Sequence, residues 1–203
     1  FVEPTPIQEK VIPHLSSNTN DLIALAQTGT GKTAAFGIPM IQNADISERN
    51  IQGLILCPTR ELCMQITNDL STFSKYIKGF KITPVYGGAP IDRQITALKK
   101  GVHIVVGTPG RTRDLIERKV LKVKDINWLV LDEADEMLQM GFKEELDAIL
   151  ETTPPEKQTL LFSATMPKEV YRIANNYMHD PEEISVGNKN AGAENVNHVY
   201  YMA

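Results

Sequence analysis

A short apolar run, Leu22-Ile23-Ala24-Leu25, passes directly into Ala26-Gln27-Thr28-Gly29-Thr30-Gly31-Lys32-Thr33. That junction restricts the fold more than any other stretch of the chain. Glycine at 29 and 31 lets successive backbone N–H groups turn inward and approach an anion closely. A helix starting at the lysine adds the positive end of its dipole. The loop works only between a strand and a helix, so the chain must contain a β–loop–α unit of an α/β sheet. In such a phosphate loop Lys32 reaches the β- and γ-phosphates and the Thr33 hydroxyl ligates Mg²⁺. Gln27, Thr28, Gly29, Thr30 and Gly31 form the cradle. Ala26 stands where the pattern usually has Gly, a mild departure.

About a hundred residues later, a second apolar run, Trp128-Leu129-Val130-Leu131, ends in Asp132-Glu133-Ala134-Asp135. A carboxylate at the end of a buried run is costly unless it meets a cation. Mg²⁺, held by Asp132 directly or through water, is the natural partner. Glu133 can then orient a water for attack, since phosphoryl transfer depends mainly on positioning and charge stabilisation. Taken alone, the acidic tetrad is equally an N-terminal helical turn favoured by the macrodipole. The phosphate loop upstream turns the balance towards a nucleoside triphosphate site.

A chain of 203 residues, 42% hydrophobic, can bury one substantial core. No apolar run is long enough for a membrane span. The opening Phe1-Val2-Glu3-Pro4 has neither the basic nor the apolar region of a signal peptide, and both ends look cut from something longer. Cys57 and Cys63 cannot build a tetrahedral metal site alone, and His14, His103, His179 and His198 are scattered. Cys57, ending an apolar run, reads as a small core residue, and both cysteines fit a reducing, cytoplasmic setting. The net charge of −4 gives no global basic field. The charge is uneven, however: residues 111–124 are basic and residues 132–151 acidic. Solvated helix faces explain the acidic block beyond its first four residues; the basic block is divided evenly between that reading and a functional one.

Strand-like runs recur at Leu22–Leu25, Gly53–Leu56, Ile82–Tyr86, His103–Val106, Trp128–Leu131 and Thr159–Phe162. Several are apolar at nearly every position, as strands buried on both faces of a parallel sheet are. Helical patterns lie between them: after Thr59 to about Tyr76, from Pro109, from Glu133 to about Met140, and from Lys168 to about Met178. The alternation predicts a doubly wound α/β domain, a mostly parallel sheet with helices on both faces, whose functional loops sit at the strands' carboxyl ends. Every unusual polar cluster falls there: Gly29–Thr33, Pro58–Glu61, Gly87-Gly88, Thr108–Arg111, Asp132–Asp135 and Ser163-Ala164-Thr165.

Together these residues resemble the DEAD-box RNA helicases over nearly the whole chain, and Asp132-Glu133-Ala134-Asp135 is the tetrad that names that family. Phe1-x-x-Pro4-Thr5-Pro6-Ile7-Gln8 is similar to its Q motif and Ala26–Thr33 to motif I. Pro58-Thr59-Arg60-Glu61-Leu62 matches motif Ia, Gly87-Gly88 the glycine pair, Thr108-Pro109-Gly110-Arg111 motif Ib, and Ser163-Ala164-Thr165 motif III. The resemblance implies a RecA-like P-loop domain that uses ATP and Mg²⁺. Gln8, with Thr5, would recognise adenine, since an amide donates and accepts at once, and Phe1 would stack on the base. Pro58, Thr59, Arg60, Gly87, Gly88, Thr108, Pro109, Gly110 and Arg111 would hold RNA sugar and phosphate without reading sequence. Thr59 and Thr108 would stand at helix N-termini suited to phosphate oxygens. Arg60 and Arg111 have a competing reading as ion-pair partners within the domain. Ser163 and Thr165 would link the γ-phosphate site to the RNA side through the Asp135 region. No aromatic-rich stacking platform is visible.

The resemblance also implies an absent partner. The family's core is two tandem domains, and the second carries motifs IV to VI with arginine fingers. Residues 1–187 read as the first domain, 188–195 as a polar linker, and 196–203 as the start of the second. An arginine finger contributes roughly 10³–10⁵ in turnover for related NTPases, so the chain alone is expected to bind ATP·Mg²⁺, hydrolyse it slowly and not unwind a duplex. Two readings compete. One is another P-loop ATPase such as a DNA translocase, against which Gln8 argues. The other is an RNA clamp or scaffold using ATP as a latch, which shares the same motifs.

Overall fold

The computed structural model describes residues 3–186. Phe1 and the expected linker and second-domain residues 188–203 lie outside them. The described strands are β1 (Leu22–Leu25), β2 (Gly53–Leu56), β3 (Ile82–Val85), β4 (Ile104–Gly107), β5 (Trp128–Leu131), β6 (Gln158–Ser163) and β7 (Glu182–Ser185). They form one sheet in the order β3-β4-β2-β5-β6-β1-β7, and every pairing is parallel. The register is in step across the middle: Gly53 faces Trp128 and Trp128 faces Gln158.

Helices α1 (Pro6–Ser17), α2 (Lys32–Asn43) and α3 (Arg60–Phe73) cover one face. The other is covered by α4 (Ile91–Lys99), α5 (Pro109–Glu117), α6 (Ala134–Gln139), α7 (Lys143–Leu150) and α8 (Lys168–Tyr177). Alternate strand residues therefore enter two different cores. Leu54 and Leu56 pack beneath α4 to α8, and Ile55 between them packs beneath α1 to α3. Burial on both faces is why the central strands are apolar at successive positions. Cys57 and Cys63 lie fully buried in the α1–α3 core. A hydrogen bond with Cys63 and burial push the Cys57 thiol up, so it stays protonated packing material.

The expected strands are all present, with β4 one residue later than read. His103 stands just before the strand, its backbone still bonded to Lys81 O and Gln52 N, with its ring stacked on Phe80 (centroids 5.0 Å apart) and its Nδ1 accepting from Lys81 N at 3.0 Å. The helix expected to reach Tyr76 stops at Phe73, where Ser74 N and Oγ both donate to Leu70 O. Helices α1, α4 and α7 and strand β7 were not foreseen. Pro84 sits inside β3, which is tolerated because β3 is an edge strand. Asp21, at the mouth of β1, accepts from Thr159 N (2.6 Å) and His179 N (2.7 Å) and so pins β6 and the approach to β7.

Candidate nucleotide and nucleic-acid site

The strand order divides the carboxyl edge into two halves. Loops after β5, β6 and β1 are adjacent and carry Asp132–Asp135, Ser163–Thr165 and Gly29–Thr33; loops after β3, β4 and β2 carry Gly87-Gly88, Thr108–Arg111 and Pro58–Arg60.

In the first half, Gly29 and Gly31 take left-handed φ of 75° and 89°, which side chains rarely adopt. Gly31 is needed twice over. A Cβ there would fall 2.4 Å from Gln8 Nε2, and that amide donates to the Gly31 carbonyl at 3.0 Å. Gln8 Oε1 accepts from Thr5 N at 3.0 Å, so one amide joins the start of α1 to the phosphate loop. The Thr30 hydroxyl donates to Gln27 O at 2.8 Å and closes the loop on itself. Ala26 is buried and its N–H reaches Ser163 O at 3.0 Å, so the missing glycine leaves the strand connection intact.

Lys32 is only 6% exposed; its ammonium donates to Ala26 O at 3.3 Å and lies 3.8 Å from Asp132 Oδ1. Asp132 is 3% exposed, and Oδ1 has no hydrogen-bond donor. Burial pushes its carboxyl up to about 6, against the pull of Lys32, with Glu133 and Asp135 adding to the rise. An orphaned buried carboxylate oxygen beside one lysine is what a divalent cation would satisfy. The described residues contain no group of three His, Cys, Asp or Glu able to hold a metal unaided. An ion here would need further ligands from Thr33, water and a nucleotide. The residues present fit Mg²⁺ on those terms.

Glu133 begins α6 at φ 55°, a left-handed conformation for a non-glycine residue. That conformation costs on the order of 1 kcal/mol, and Glu133 lines the cleft. The same conformation explains why α6 starts one residue later than expected. The cleft holds about 350 Å³ and is lined by Gln8, Thr28, Gly29, Gly31, Lys32, Thr33, Asp132 and Glu133. Its far wall is α3: Leu62, Gln65, Asp69 and Phe73. Sequence reasoning missed that wall, although those residues share one helical face by spacing. A larger recess of about 570 Å³, lined by Asn18, Lys124, Trp128 and Gln158, opens at the other edge of the sheet and includes none of the motif residues. Chemistry, not size, therefore places the site.

Also within the first half, Asp135 Oδ2 accepts from Thr165 N (2.9 Å) and Oγ1 (2.7 Å), and Ser163 Oγ donates to Thr165 O at 2.7 Å. Burial opposes ionisation of Asp135, but hydrogen bonds from Thr165 and Ser163 outweigh it and hold the carboxyl below its ordinary value. Hydrogen bonds thus join Asp132–Asp135 to Ser163–Thr165.

In the second half several polar groups hold one another, while Gln94 Oε1 and Thr112 Oγ1 are buried without a hydrogen bond. Both terminal nitrogens of Arg111 donate to Ala89 O at 3.2 Å, fixing the turn after Gly87-Gly88. The Arg60 guanidinium lies 4.9 Å from the Tyr86 ring centroid. Among the described residues, neither arginine ion-pairs with a carboxylate, so nothing there supports the competing ion-pair reading. Gln94, which sequence reasoning passed over, is buried in α4 and donates to Tyr86 O at 3.0 Å. Thr59 accepts from Leu62 N at 3.2 Å and caps α3. Thr108 flanks α5 with no side-chain cap, while Pro109 is buried and Gly110 exposed at its first turn. Gly87 and Gly88 are exposed with open space where a Cβ would stand, and Gly88 is left-handed at φ 77°. Pro58 is buried and seats the loop against β2.

The DEAD/DEAH box helicase family model matches residues 5–173. A DEAD-box ATP-dependent RNA helicase CshA of Streptococcus pneumoniae is 52% identical over 200 residues, 98% of this chain and 38% of that protein. An ATP-dependent RNA helicase CshA of Listeria monocytogenes is 55% identical over 186 residues, 92% of this chain and 35% of that protein. Among solved structures, a DEAD box protein from Methanococcus jannaschii superimposes with TM-score 0.85 at 46% identity, covering 90% of this chain and 49% of that one. The yeast DEAD-box splicing factor Prp28 superimposes with TM-score 0.88 at 33% identity, covering 95% and 47%. The chain spans well under half the length of the curated relatives it matches.

Proposed function

The chain belongs to the DEAD/DEAH box helicase family, and from that premise we propose that it is the ATP- and RNA-binding first domain of an ATP-dependent RNA helicase. The orphaned Asp132 Oδ1, 3.8 Å from Lys32 behind the phosphate loop, carries the reading. It supports a site built for a triphosphate and its counter-ion.

The roles follow from position. Gln8, beside Thr5, recognises adenine and would trade its bond to Gly31 O for bonds to the base; Phe1 stacks on it. Gln27, Thr28, Gly29, Thr30 and Gly31 cradle phosphate oxygens with backbone N–H groups. Lys32 moves from Ala26 O and Asp132 towards the β- and γ-phosphates. Thr33 and Asp132, partly through water, hold Mg²⁺, which supplies charge neutralisation when bound. Glu133 orients the attacking water. Ser163 and Thr165 pass the state of the nucleotide to the RNA side through Asp135.

RNA lies along Pro58, Thr59 and Arg60, the Gly87-Gly88 turn, and Thr108, Pro109, Gly110 and Arg111, which take its sugar and phosphate rather than its bases. Its second partner is a further RecA-like domain of the same protein, supplying the arginines absent here. We place the domain at residues 1–187, with 188–195 as linker and 196–203 leading into that second domain. The setting is cytoplasmic. No helix among the described residues is long and apolar enough to cross a membrane.

The deciding measurement is ATP turnover by the intact parent, with and without single-stranded RNA, duplex RNA and DNA. RNA-stimulated ATP turnover is expected, with the 203-residue chain binding ATP in preference to GTP but turning it over very slowly. Stimulation by DNA alone, or full parental turnover by this chain alone, would overturn the reading.

A further inference from the structure

The edge of the sheet opposite the motif loops carries a charge arrangement that ATP and RNA motifs leave unused. Because β3, β4 and β2 lie side by side, the turns that enter them (residues 74–81, 99–103 and 44–52) meet at their amino ends. Those turns present Arg49, Lys75, Lys78, Lys81, Lys99 and Lys100, all exposed. The turns touch. Lys81 Nζ donates to Lys100 O at 3.0 Å, and a Cβ on Gly101 would stand 3.2 Å from Arg49 Cβ. The scaffold beneath is fixed by the Phe80–His103 stack and the Lys81 N–His103 Nδ1 bond.

Among the described residues, none of these six cations ion-pairs with a carboxylate. The acids on the same turns are Asp45 and Glu48, and Asp45 is engaged by Ser47 N and Oγ at 2.8 and 2.7 Å. The turn into β5 adds exposed Lys122 and Lys124 against one exposed acid, Asp125. A positive edge on a chain of net charge −4 is not a by-product of general basicity.

One aromatic stands in its midst. Tyr76 is 86% exposed, with the Lys75 ammonium 4.7 Å from its ring centroid. Cations flanking an exposed ring suit a single strand, phosphates on the lysines and a base on the ring. An acidic peptide would use the charge but leave the tyrosine idle. We infer that this amino-terminal edge is a second RNA surface, holding a single-stranded segment by Lys75, Lys78, Lys99, Lys100 and a base stacked on Tyr76. It is separated from the motif loops by the strands themselves, about 13 Å for four residues. The proposed function enters only in the choice of RNA over DNA.

The test is fluorescence anisotropy of a 20-nucleotide oligouridine on the 203-residue chain without ATP, over a salt series. The variants are Lys75→Gln/Lys78→Gln/Lys99→Gln/Lys100→Gln, Tyr76→Ala, and Arg60→Ala/Arg111→Ala on the motif side. Binding of a fluorescent ATP analogue serves as the folding control. Losing four phosphate contacts is expected to flatten the slope of log K against log salt by about 2.8. Tyr76→Ala should weaken binding about fivefold or more. Both effects should persist in the Arg60→Ala/Arg111→Ala background. Unchanged slope and affinity in the quadruple variant would overturn the second surface while leaving the motif-side reading intact. Loss of all binding in Arg60→Ala/Arg111→Ala would likewise place RNA on the motif loops alone. A poly-glutamate peptide that competes as well as RNA, with Tyr76→Ala silent, would also overturn it, in favour of an acidic protein.

Discussion

At the ends of β5, β6 and β1 a buried carboxylate and lysine face one another without a hydrogen bond, whereas at the ends of β3, β4 and β2 the arginines are spent on a loop carbonyl and a ring, and the buried atoms left over, Gln94 Oε1 and Thr112 Oγ1, are neutral. Asp132 Oδ1 is buried without a hydrogen bond, and Lys32 stands 3.8 Å from the carboxylate it faces. Across the edge, Arg111 clamps Ala89 O, Arg60 covers Tyr86, and Gln94 holds Tyr86 O from below. The difference matches the ligands proposed for each half. A nucleotide with its ion brings concentrated charge and can repay unsatisfied groups only if they are waiting for it. An RNA backbone is bound by surface shape, so its loops need rigidity more than unpaired atoms.

The largest expected effects break the nucleotide half. Glu133→Gln in the two-domain parent should leave ATP binding within about twofold and lower turnover by about 10²–10⁴. Single-turnover hydrolysis checks it, and near-normal hydrolysis would remove Glu133 from the water-orienting role. Next comes Lys32→Ala. It deletes a charge meant for the phosphates and leaves Asp132 buried without its cation. Truncating one member of such a pair costs about 2–5 kcal/mol. ATP affinity by calorimetry should fall accordingly, with RNA binding to the chain unchanged. Equal losses of ATP and RNA affinity would mean general unfolding and would erase the contrast between the halves.

The RNA half should fail more gently and in one property only. Arg111→Ala frees the Ala89 carbonyl and lets the Gly87-Gly88 turn move, at about 1–2 kcal/mol in RNA affinity given a partly exposed pair. ATP affinity should not change. An Arg111→Ala chain that binds RNA normally would show that the clamp is structural decoration on a loop RNA does not touch.

What the sequence disclosed follows the same division. The phosphate loop and the Asp132 turn were legible because each is local: a glycine whose φ only glycine takes readily, and a carboxylate that ends an apolar run. The strand order was legible only as a mostly parallel class, because the neighbours of β2 are set by packing between residues more than fifty positions apart. Gln94 gave no signal, since a polar residue in an amphipathic helix looks the same exposed or buried. The α3 wall was written at helical spacing, yet nothing said which face met the cleft. Strand β7 was missed because Glu182 and Glu183 face solvent on an edge and leave only Ile184 buried. The basic edge is invisible along the chain because its lysines come from turns that only the topology brings together.

The contact between the Asp132–Asp135 and Ser163–Thr165 loops, proposed to carry the state of the nucleotide towards the RNA, is the place where the comparison is sharpened most finely. Asp135 receives two bonds from Thr165, and with Ser163 they hold its carboxyl below its ordinary value of 3.8. A carboxyl depressed in the folded state stabilises the fold above 3.8, and that contribution is lost as pH falls through the lower folded value. Thr165→Val removes the hydroxyl donor and keeps the backbone one, a loss of about 1 kcal/mol or less at neutral pH because the threonine is exposed. Thermal melts from pH 7 down to pH 3 should show the variant's deficit shrinking on the acid side, since protonated Asp135 no longer prefers the partner that was removed. In the parent, the same substitution should leave ATP and RNA affinities near normal when each is measured alone, and weaken the dependence of one on the other. If that dependence survives Thr165→Val and Ser163→Ala together, the two halves communicate by another route, and the contact through Asp135 serves only to hold α6 against β6.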